Sequence, residues 1–378
     1  KYSNHIWPPM RYLFFTNTPA HVHLYKNVVA ELRDRGHEVR VLARDYGCTL
    51  ALADAADLPY SVYGGCDTTK RSLLTNLPGQ YARSLAAAHR FDPDVVFGIG
   101  AYAAPAGFLT GARTILVHDS EPTSLDHRIA RSLADALLTP DTFRDDLGPK
   151  HRVFHGFKES AYLHPDRFSA DPSVREALGV GDDPFVICRL NAFGSHHDVG
   201  QGGFTVEQVR TLIEDLDDHA TVFVSDEGGD LDVDATAGRR FDLHPARLHD
   251  ALAEASLLVA DTQTMVTEAA LLGTPAVRSN SFVGADDMGN FVELEERGLV
   301  RNVGAFERVR ETALDLMTDD GATDRWESRR RELLSETVDL TELLVNVAEN
   351  PRGIDRVSGV SRRITGPAAG AGRSSTAD

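Results

Sequence analysis

Short apolar runs alternate with segments of helical spacing along most of the chain. Residues 11–15 form the run RYLFF, which suits a buried parallel strand, and the polar turn TNTP follows it. From Ala20 the apolar positions keep helical spacing until Gly36, and EVRVLA at residues 38–43 then alternates as a second strand. The same order recurs along the chain. The pattern therefore predicts an α/β protein built on doubly wound parallel sheets.

Two such series are separated by a stretch without periodicity. The pattern lapses in HRVFHGFKESAYLHPDRFSADP, residues 151–172, and a second series of strands and helices begins at Phe185. We therefore predict two Rossmann-like domains, at residues 10–155 and 156–348. The second domain is expected to end in one long amphipathic helix, residues 325–347, that packs back across the first.

Composition limits the classes of function. The 378 residues include 57 Asp and Glu against 39 Lys and Arg, a net charge of −18. Such a surface is typical of proteins from a salt-rich, halophilic cytoplasm, and the lack of a basic stripe argues against nucleic acid as a partner. Three cysteines without metal or redox spacing, and no visible signal peptide, favour a cytoplasmic location. The Gly-, Ser-, Arg- and Ala-rich residues 351–378 are predicted to be disordered.

The strongest local signal is ADTQTMVTEAALLGTPAV, residues 260–277. An apolar run ends in a polar turn, helical spacing follows, and a glycine stops the helix. A helix that begins at a strand end exposes free amides suited to phosphate. Thr262, Gln263 and Thr264 would contact the phosphates, and Glu268, about one turn further, would accept hydrogen bonds from ribose hydroxyls. The alternative is an ordinary strand–helix–strand unit, with Thr264 as N-cap and Glu268 in solvent.

Two strand ends of the first series carry candidate chemistry, because ligands of doubly wound sheets bind outside the carboxyl ends of the strands. The turn TNTPAHVH offers Thr18 as a substrate contact and His21 as a general base. A surface histidine is the alternative for His21. The turn HDSE offers Asp119 for sugar hydroxyls and Glu121 for proton transfer, with a helix-capping turn as the alternative.

The second series adds an arginine and a glycine-rich loop. Arg189 closes an apolar strand and would bind a diphosphate, unless it pairs with an interdomain carboxylate. The loop GSHHDVGQGG, residues 194–203, is interpreted as a lid or as a plain surface loop. Gly98 and Gly100 lack the rest of a dinucleotide fingerprint, and no phosphate-loop motif occurs. We therefore predict neither NAD binding nor a phosphate-loop ATPase.

Four segments together resemble the archaeal domain-of-unknown-function 354 family: TNTPAHVHLYKNVVAELRDRGHEVRVLARDYG, HDSE, HGFKESAYL and TEAALLGTPAV. More remotely the chain is similar to GT-B glycosyltransferases and to the non-hydrolysing UDP-N-acetylglucosamine 2-epimerase. This resemblance implies a GT-B-like fold, two facing Rossmann-like domains with parallel sheets. In those relatives the helix of the second domain holds the diphosphate and its glutamate, here Glu268, holds the ribose. The histidine of the first-domain loop in the peptidoglycan-precursor N-acetylglucosaminyltransferase matches His21.

The match to the epimerase is looser. Glu121 falls near its catalytic glutamate, with one extra residue after His118, and its first catalytic aspartate has no counterpart in GIGA, residues 98–101. Elimination and re-addition need proton-transfer groups on both faces of the sugar. The resemblance therefore favours transfer over epimerisation.

We expect an enzyme that moves a sugar from a nucleotide sugar to an unidentified acceptor. The expected nucleotide is a uridine diphosphate. The second domain would bind the donor and the first the acceptor. The nucleotide sugar is the substrate, and we expect no cofactor and no metal. A lipid-linked acceptor, with peripheral contact to a membrane, belongs to this expectation. The alternatives are a 2-epimerase-like enzyme and a non-catalytic protein that binds a nucleotide sugar.

Overall fold

The strands of the chain lie in two separate sheets. The computed structural model of the protein describes residues 8–65, 70–121, 124–190, 204–226, 228–229, 231–280, 283–284 and 287–363. Within these ranges the first sheet has eight strands: β1 (Arg11–Thr16), β2 (Glu38–Asp45), β3 (Tyr60–Gly65), β4 (Val95–Gly98), β5 (Arg113–Val117), β6 (Ala136–Pro140), β7 (His151–Phe154) and β14 (Ser361–Arg362). The second has six: β8 (Phe185–Leu190), β9 (Thr221–Asp226), β10 (Arg239–Arg240), β11 (Leu257–Ala260), β12 (Ala276–Arg278) and β13 (Arg301–Asn302).

Both sheets are doubly wound. The strand order is β14-β7-β6-β5-β4-β1-β2-β3 in the first sheet and β10-β9-β8-β11-β12-β13 in the second. All paired strands run parallel except β14, which lies antiparallel to β7. The direction of winding reverses between β1 and β4 and between β8 and β11, and ligands bind at such switch points. The predicted α/β architecture with two parallel sheets is confirmed.

Fourteen α-helices of the described residues connect and cover these strands. They are α1 (Pro19–Asp34), α2 (Thr49–Ala55), α3 (Lys70–Phe91), α4 (Ala103–Thr110), α5 (Ser124–Leu133), α6 (Ser160–Leu163), α7 (Ser173–Leu178), α8 (Val206–Asp217), α9 (Leu248–Glu254), α10 (Thr264–Leu272), α11 (Gly289–Glu296), α12 (Phe306–Met317), α13 (Ala322–Glu336) and α14 (Leu340–Glu349). The predicted stop at Gly273 holds, because this residue has φ +83° and ends α10 in the left-handed region.

The apolar core is continuous between the two halves. Phe14 of β1 stacks on Phe97 of β4, with ring centroids 5.1 Å apart, and belongs to the same cluster of buried residues as Leu258 of β11. The last helix, α14, packs on α1 of the first half, where the Tyr12 hydroxyl donates a hydrogen bond to the Ala348 carbonyl at 3.2 Å. The expected return of the chain across the first sheet is therefore observed.

The expected single helix over residues 325–347 is wrong, because the chain forms α13 and α14 with a break between them. Asp339 is the N-cap of α14, and its side chain accepts a hydrogen bond from the Glu342 amide at 3.2 Å. An aspartate followed three residues later by a glutamate is a signature of a helix start. The pattern DLTE was therefore sufficient to predict the second helix.

The chain is also ordered through residues 351–363, where composition predicted disorder. Ile354 and Val357 are buried, and Asp355 pairs with Arg152 of β7. The edge of β7 offers free backbone groups, which β14 satisfies by antiparallel pairing. Two buried side chains and a sheet edge thus order a segment that is polar on average. Residues 364–378 lie outside the described part of the chain.

Candidate functional site

The turn from β11 into α10 presents hydrogen-bond donors at the switch point of the second sheet. Gln263 is the N-cap and Thr264 the first residue of α10, and both are partly exposed. The amides of Val266 and Thr267 both donate to the Gln263 carbonyl, at 3.1 and 3.3 Å, so the amides before them precede the helical ladder. The Thr262 hydroxyl is buried and has no hydrogen-bond partner in the described part of the chain. The turn therefore offers amides and a hydroxyl to an anion.

Arg189 lies on the neighbouring strand, in register with Ala260 of β11. Its Nη1 donates to the Ser225 hydroxyl at 2.5 Å. Burial lowers the pKa of Arg189, and the carboxylates of Asp261 and Glu268 act in the opposite direction. Cys48, at the N-cap of α2 in the first half, is close enough to interact electrostatically with both Arg189 and Glu268. The arginine thus lies near α2 of the first half.

Glu268 is not in solvent, so the alternative that treated it as a surface residue is wrong, as is the assignment of Thr264 as N-cap. The residue is 3% exposed. Its Oε1 accepts hydrogen bonds from the Tyr162 hydroxyl at 2.7 Å and from His249 Nε2 at 3.0 Å. Burial, and then the Glu268 carboxylate, raise the pKa of Tyr162 well above its usual range, so the phenol stays protonated and donates.

His21 lies on the first turn of α1, at the switch point of the first sheet. Its Nδ1 accepts a hydrogen bond from the Asn17 amide at 3.1 Å, and the Thr18 carbonyl accepts one from the His21 amide at 3.1 Å. Burial and the Lys158 ammonium lower the pKa of His21 to about 3. Because a backbone amide can only donate, Nδ1 is the bare nitrogen and the neutral ring carries its proton on Nε2. In this geometry His21 is a hydrogen-bond donor.

Asp119 forms a partly buried ion pair just after β5, in which Lys158 is buried and the Asp119 side chain is 22% exposed. Lys158 Nζ lies 2.5 Å from Asp119 Oδ2 and 3.6 Å from Glu159 Oε1. Burial opposes both charges, but the lysine outweighs it and lowers the pKa of Asp119, while the two carboxylates raise the pKa of Lys158. Burial raises the pKa of Glu159 to about 7. Asp119 is therefore a carboxylate at neutral pH, within electrostatic reach of the His21 ring.

Glu121 joins the two halves of the molecule. Its Oε1 accepts hydrogen bonds from the Arg144 amide and from the Gly289 amide at the start of α11, both at 3.2 Å. The contact is close, because a Cβ at Gly289 would lie 1.8 Å from the Thr142 carbonyl oxygen. Glu121, predicted to transfer protons, thus uses one carboxylate oxygen to cap α11 of the second half. Glu121 is not among the charges that act on His21.

The sequence analysis predicted the residues at the strand ends but missed their hydrogen-bond and ion-pair partners. Lys158, Glu159 and Tyr162 lie in the HGFKESAYL crossing, and His249 lies in α9. Lys158 could have been noticed in the sequence, because lysine is rare in this chain. Its only lysines are Lys1, Lys26, Lys70, Lys150 and Lys158. The loop at residues 194–203, predicted as a lid, lies outside the described residues.

The described residues contain no cluster of three or more His, Cys, Asp or Glu side chains that could hold a metal ion. No helix in the same ranges is both long and apolar enough to cross a bilayer.

Solved structures of sugar-handling enzymes share this arrangement of two sheets. Spinosyn forosaminyltransferase SpnP aligns with a TM-score of 0.60 at 15% identity, over 92% of this chain and 99% of the other. The UDP-GlcNAc 2-epimerase from Neisseria meningitidis, bound to UDP-GlcNAc, aligns with a TM-score of 0.62 at 14% identity, over 91% and 100%. The chain has the GT-B fold.

Sequence similarity to curated proteins is more local. The UDP-N-acetylglucosamine–N-acetylmuramyl-(pentapeptide) pyrophosphoryl-undecaprenol N-acetylglucosamine transferase of Cupriavidus metallidurans is 31% identical over 131 residues, 32% of this chain and 37% of the relative. The chain thus matches little more than a third of the curated relative. No protein-family model matches the chain, so the resemblance to the domain-of-unknown-function 354 family stays a prediction.

Proposed function

We propose that the chain is a glycosyltransferase that moves a sugar from a nucleoside diphosphate sugar, uridine-linked, to an acceptor hydroxyl. One observation carries the proposal: a helix start, an arginine and a buried glutamate converge at the switch point of the second sheet. These groups suit a diphosphate and the ribose attached to it. The name of the curated relative, which includes UDP-N-acetylglucosamine, supports this class of donor.

The donor would bind along the β8–β11 edge. The phosphates would accept hydrogen bonds from the turn at Thr262, Gln263 and Thr264, and Glu268 would accept hydrogen bonds from the ribose hydroxyls. Arg189 would stabilise the negative charge that develops on the leaving diphosphate. These roles follow from donor and acceptor chemistry at the switch point.

The acceptor would lie at the first sheet, beside Thr18, His21 and Asp119. Its oxygen bonds to the sugar C1 while the bond from C1 to the diphosphate oxygen breaks, and the electron pair leaves with the diphosphate. Asp119, ionised because of Lys158, receives the hydroxyl proton. His21 donates a hydrogen bond from Nε2, because its Nδ1 is held by the Asn17 amide. This changes the role of general base that the sequence suggested for His21.

The proposal also covers the location of the enzyme and the kind of acceptor. We propose a cytoplasmic enzyme of the domain-of-unknown-function 354 family with a lipid-linked acceptor, reached by peripheral contact with a membrane. The pyrophosphoryl-undecaprenol acceptor in the name of the curated relative supports a lipid carrier. Vesicles that contain a polyprenyl pyrophosphate should therefore retain more of the protein than plain phospholipid vesicles do, and equal retention would contradict this part of the proposal.

A 2-epimerase-like enzyme remains the second candidate, because epimerases share the fold. The hydrogen bonds that hold Glu121 Oε1 count against it, since this carboxylate is the group closest to the epimerase pattern. Incubation of UDP-N-acetylglucosamine in deuterated water separates the two, because only an epimerase exchanges the C2 hydrogen. Tight binding of nucleotide sugar without turnover or exchange would indicate a non-catalytic binding protein.

Isothermal titration with UDP tests the donor site directly. The native chain should bind UDP, and Glu268→Ala should weaken binding by about tenfold or more, since a charged hydrogen-bond acceptor is lost. Glu296→Ala, at an exposed position of α11, is the control and should bind as the native chain does. Absence of UDP binding by the native chain, or equal binding by Glu268→Ala, would refute the proposal.

A further inference from the structure

We infer that Tyr162 and His249 are positioning residues that orient the Glu268 carboxylate toward the ribose of the donor. The inference rests on the proposed function, because it assigns a task to the residues behind its ribose-binding group. Ribose recognition then goes through one oxygen of Glu268, and the two donors decide which oxygen that is.

The lone pairs of the Glu268 carboxylate limit how many donors each oxygen can hold. Each carboxylate oxygen has two acceptor positions in the plane of the group. Tyr162 Oη and His249 Nε2 both reach Oε1, at 2.7 and 3.0 Å, so the acceptor capacity of that oxygen is filled. Among the described residues no donor reaches Oε2. Ribose hydroxyls that bind Glu268 must therefore donate to Oε2.

The two donors cannot easily move away from Glu268. Tyr162 is 1% exposed and His249 is 2% exposed, and they come from α6 and α9, which both pack on α10. His23 of α1 stacks on the Tyr162 ring, with centroids 5.1 Å apart, and meets the His249 ring edge-on at 4.6 Å. These rings fix both donors and, through them, the torsion angles of the Glu268 side chain.

The same packing links the two switch points. His23 lies two residues after His21 on α1, and its ring touches both donors of Glu268. The acceptor-side helix thus supports the donor-side carboxylate through aromatic contacts. Loss of either donor leaves one acceptor position of Oε1 open, so the carboxylate gains rotational freedom and the ribose hydroxyls lose a fixed partner.

The decisive measurement compares two ligands on the same variants. Titration calorimetry with UDP and with 2′,3′-dideoxyuridine diphosphate isolates the contribution of the ribose hydroxyls, because only the first ligand has them. Tyr162→Phe removes one oxygen atom and keeps the packed ring. Tyr60→Phe is the matched control, since the Tyr60 hydroxyl also donates to a carboxylate, Asp54 at 2.8 Å, in the first half of the chain.

Tyr162→Phe should raise the Kd for UDP about tenfold, because the ribose hydroxyls lose a charged partner that is held in place, and leave the Kd for the dideoxy ligand unchanged. Tyr60→Phe should change neither value. His249→Leu should behave like Tyr162→Phe, and His249→Gln, which keeps a donor at nearly the same reach, should restore most of the affinity for UDP. If Tyr162→Phe does not fold, the comparison of His249→Leu with His249→Gln tests the inference.

Three results would overturn the inference. Equal weakening of both ligands by Tyr162→Phe or His249→Leu would indicate a purely structural contact, and unchanged binding of both would indicate no contribution. In either case a loss of UDP binding in Glu268→Ala leaves the proposed function standing. Failure of the native chain to bind UDP at all would refute the inference and the proposed function together.

Discussion

The assignment of His21 as a neutral donor makes a quantitative prediction about pH. A ring with a pKa of about 3 in the folded protein and about 6.5 in the unfolded chain binds no proton in the native state at pH 5, whereas the unfolded ring is almost fully protonated. A pKa lowered by folding stabilises the native state above pH 6.5, and that stability is lost as the pH falls toward 3. For one such histidine the loss between pH 7 and pH 5 is about 2 kcal/mol.

The variant that tests this is His21→Gln. Its side chain can still accept from the Asn17 amide and donate from its own amide nitrogen, but it does not titrate. Urea unfolding at pH 7 and pH 5 should show that the native chain loses about 1–2 kcal/mol more than the variant, the lower figure allowing for the partial exposure of the ring. His89→Gln, at an exposed position of α3, should follow the native chain.

Equal pH dependence in the native chain and in His21→Gln would refute the reasoning, because it would mean that folding does not change the protonation of His21. Imidazole NMR signals give a second readout. A neutral ring with its proton on Nε2 at pH 6 supports a donor. A ring that titrates near pH 6.5 would restore the general base predicted from the sequence.

Three further predictions concern the neighbouring groups. Thr262→Val should weaken UDP binding about tenfold in calorimetry, whereas Thr142→Val, which also removes a buried hydroxyl without a described partner, should leave it unchanged; equal effects would contradict the phosphate contact. Gly289→Ala should lower the free energy of unfolding by about 1–3 kcal/mol in urea, because its Cβ would lie 1.8 Å from the Thr142 carbonyl oxygen. Lys158→Met should destabilise the fold by about 1–3 kcal/mol at pH 7, because the partly buried Asp119 carboxylate loses its cationic partner. That defect should shrink in urea unfolding at low pH as Asp119 takes up a proton, and a defect that is constant with pH would argue against a charged pair.

Local signals were enough to predict the elements that carry the site. The apolar run before Asp261, the polar turn, and Gly273 as a stop gave β11 and α10 nearly as they occur. The carboxyl-end rule then selected Thr262 and Glu268 from the many polar residues of the chain. The predictions of β11 and α10 succeed because strand ends and helix starts are determined by the backbone within a few residues, whereas the roles of Thr262 and Glu268 stay predictions.

The partners of those residues were beyond such reasoning. Tyr162 and Glu268 are 106 positions apart, and Asp119 and Lys158 are 39 apart. Each pair meets only because the crossing segment at residues 155–163 passes between the sheets. The sequence predicts that this segment connects the two domains, but it does not predict which of its side chains are buried.

The protonation state of His21 was missed for a related reason. The ordinary pKa of imidazole suggested a group that titrates near neutral pH, whereas burial and the Lys158 ammonium lower the pKa of His21 and the Asn17 amide donates to its bare Nδ1. Spacing locates a histidine, but burial and neighbouring charges determine its pKa.

The net charge of −18 imposes a further condition on any anionic ligand. A diphosphate that approaches this chain is repelled at long range, and that repulsion fades within about 8 Å at physiological ionic strength and about 3 Å in molar salt. Attraction must therefore come from groups in direct contact, and in the proposed site the start of α10, the Thr262 hydroxyl and Arg189 would be such groups. Salt weakens interactions between groups in direct contact much less than it weakens interactions between distant charges. In the proposed site, affinity for the donor would then depend on the geometry at one strand end, so the orientation of a single carboxylate, Glu268, would directly affect what the site can bind.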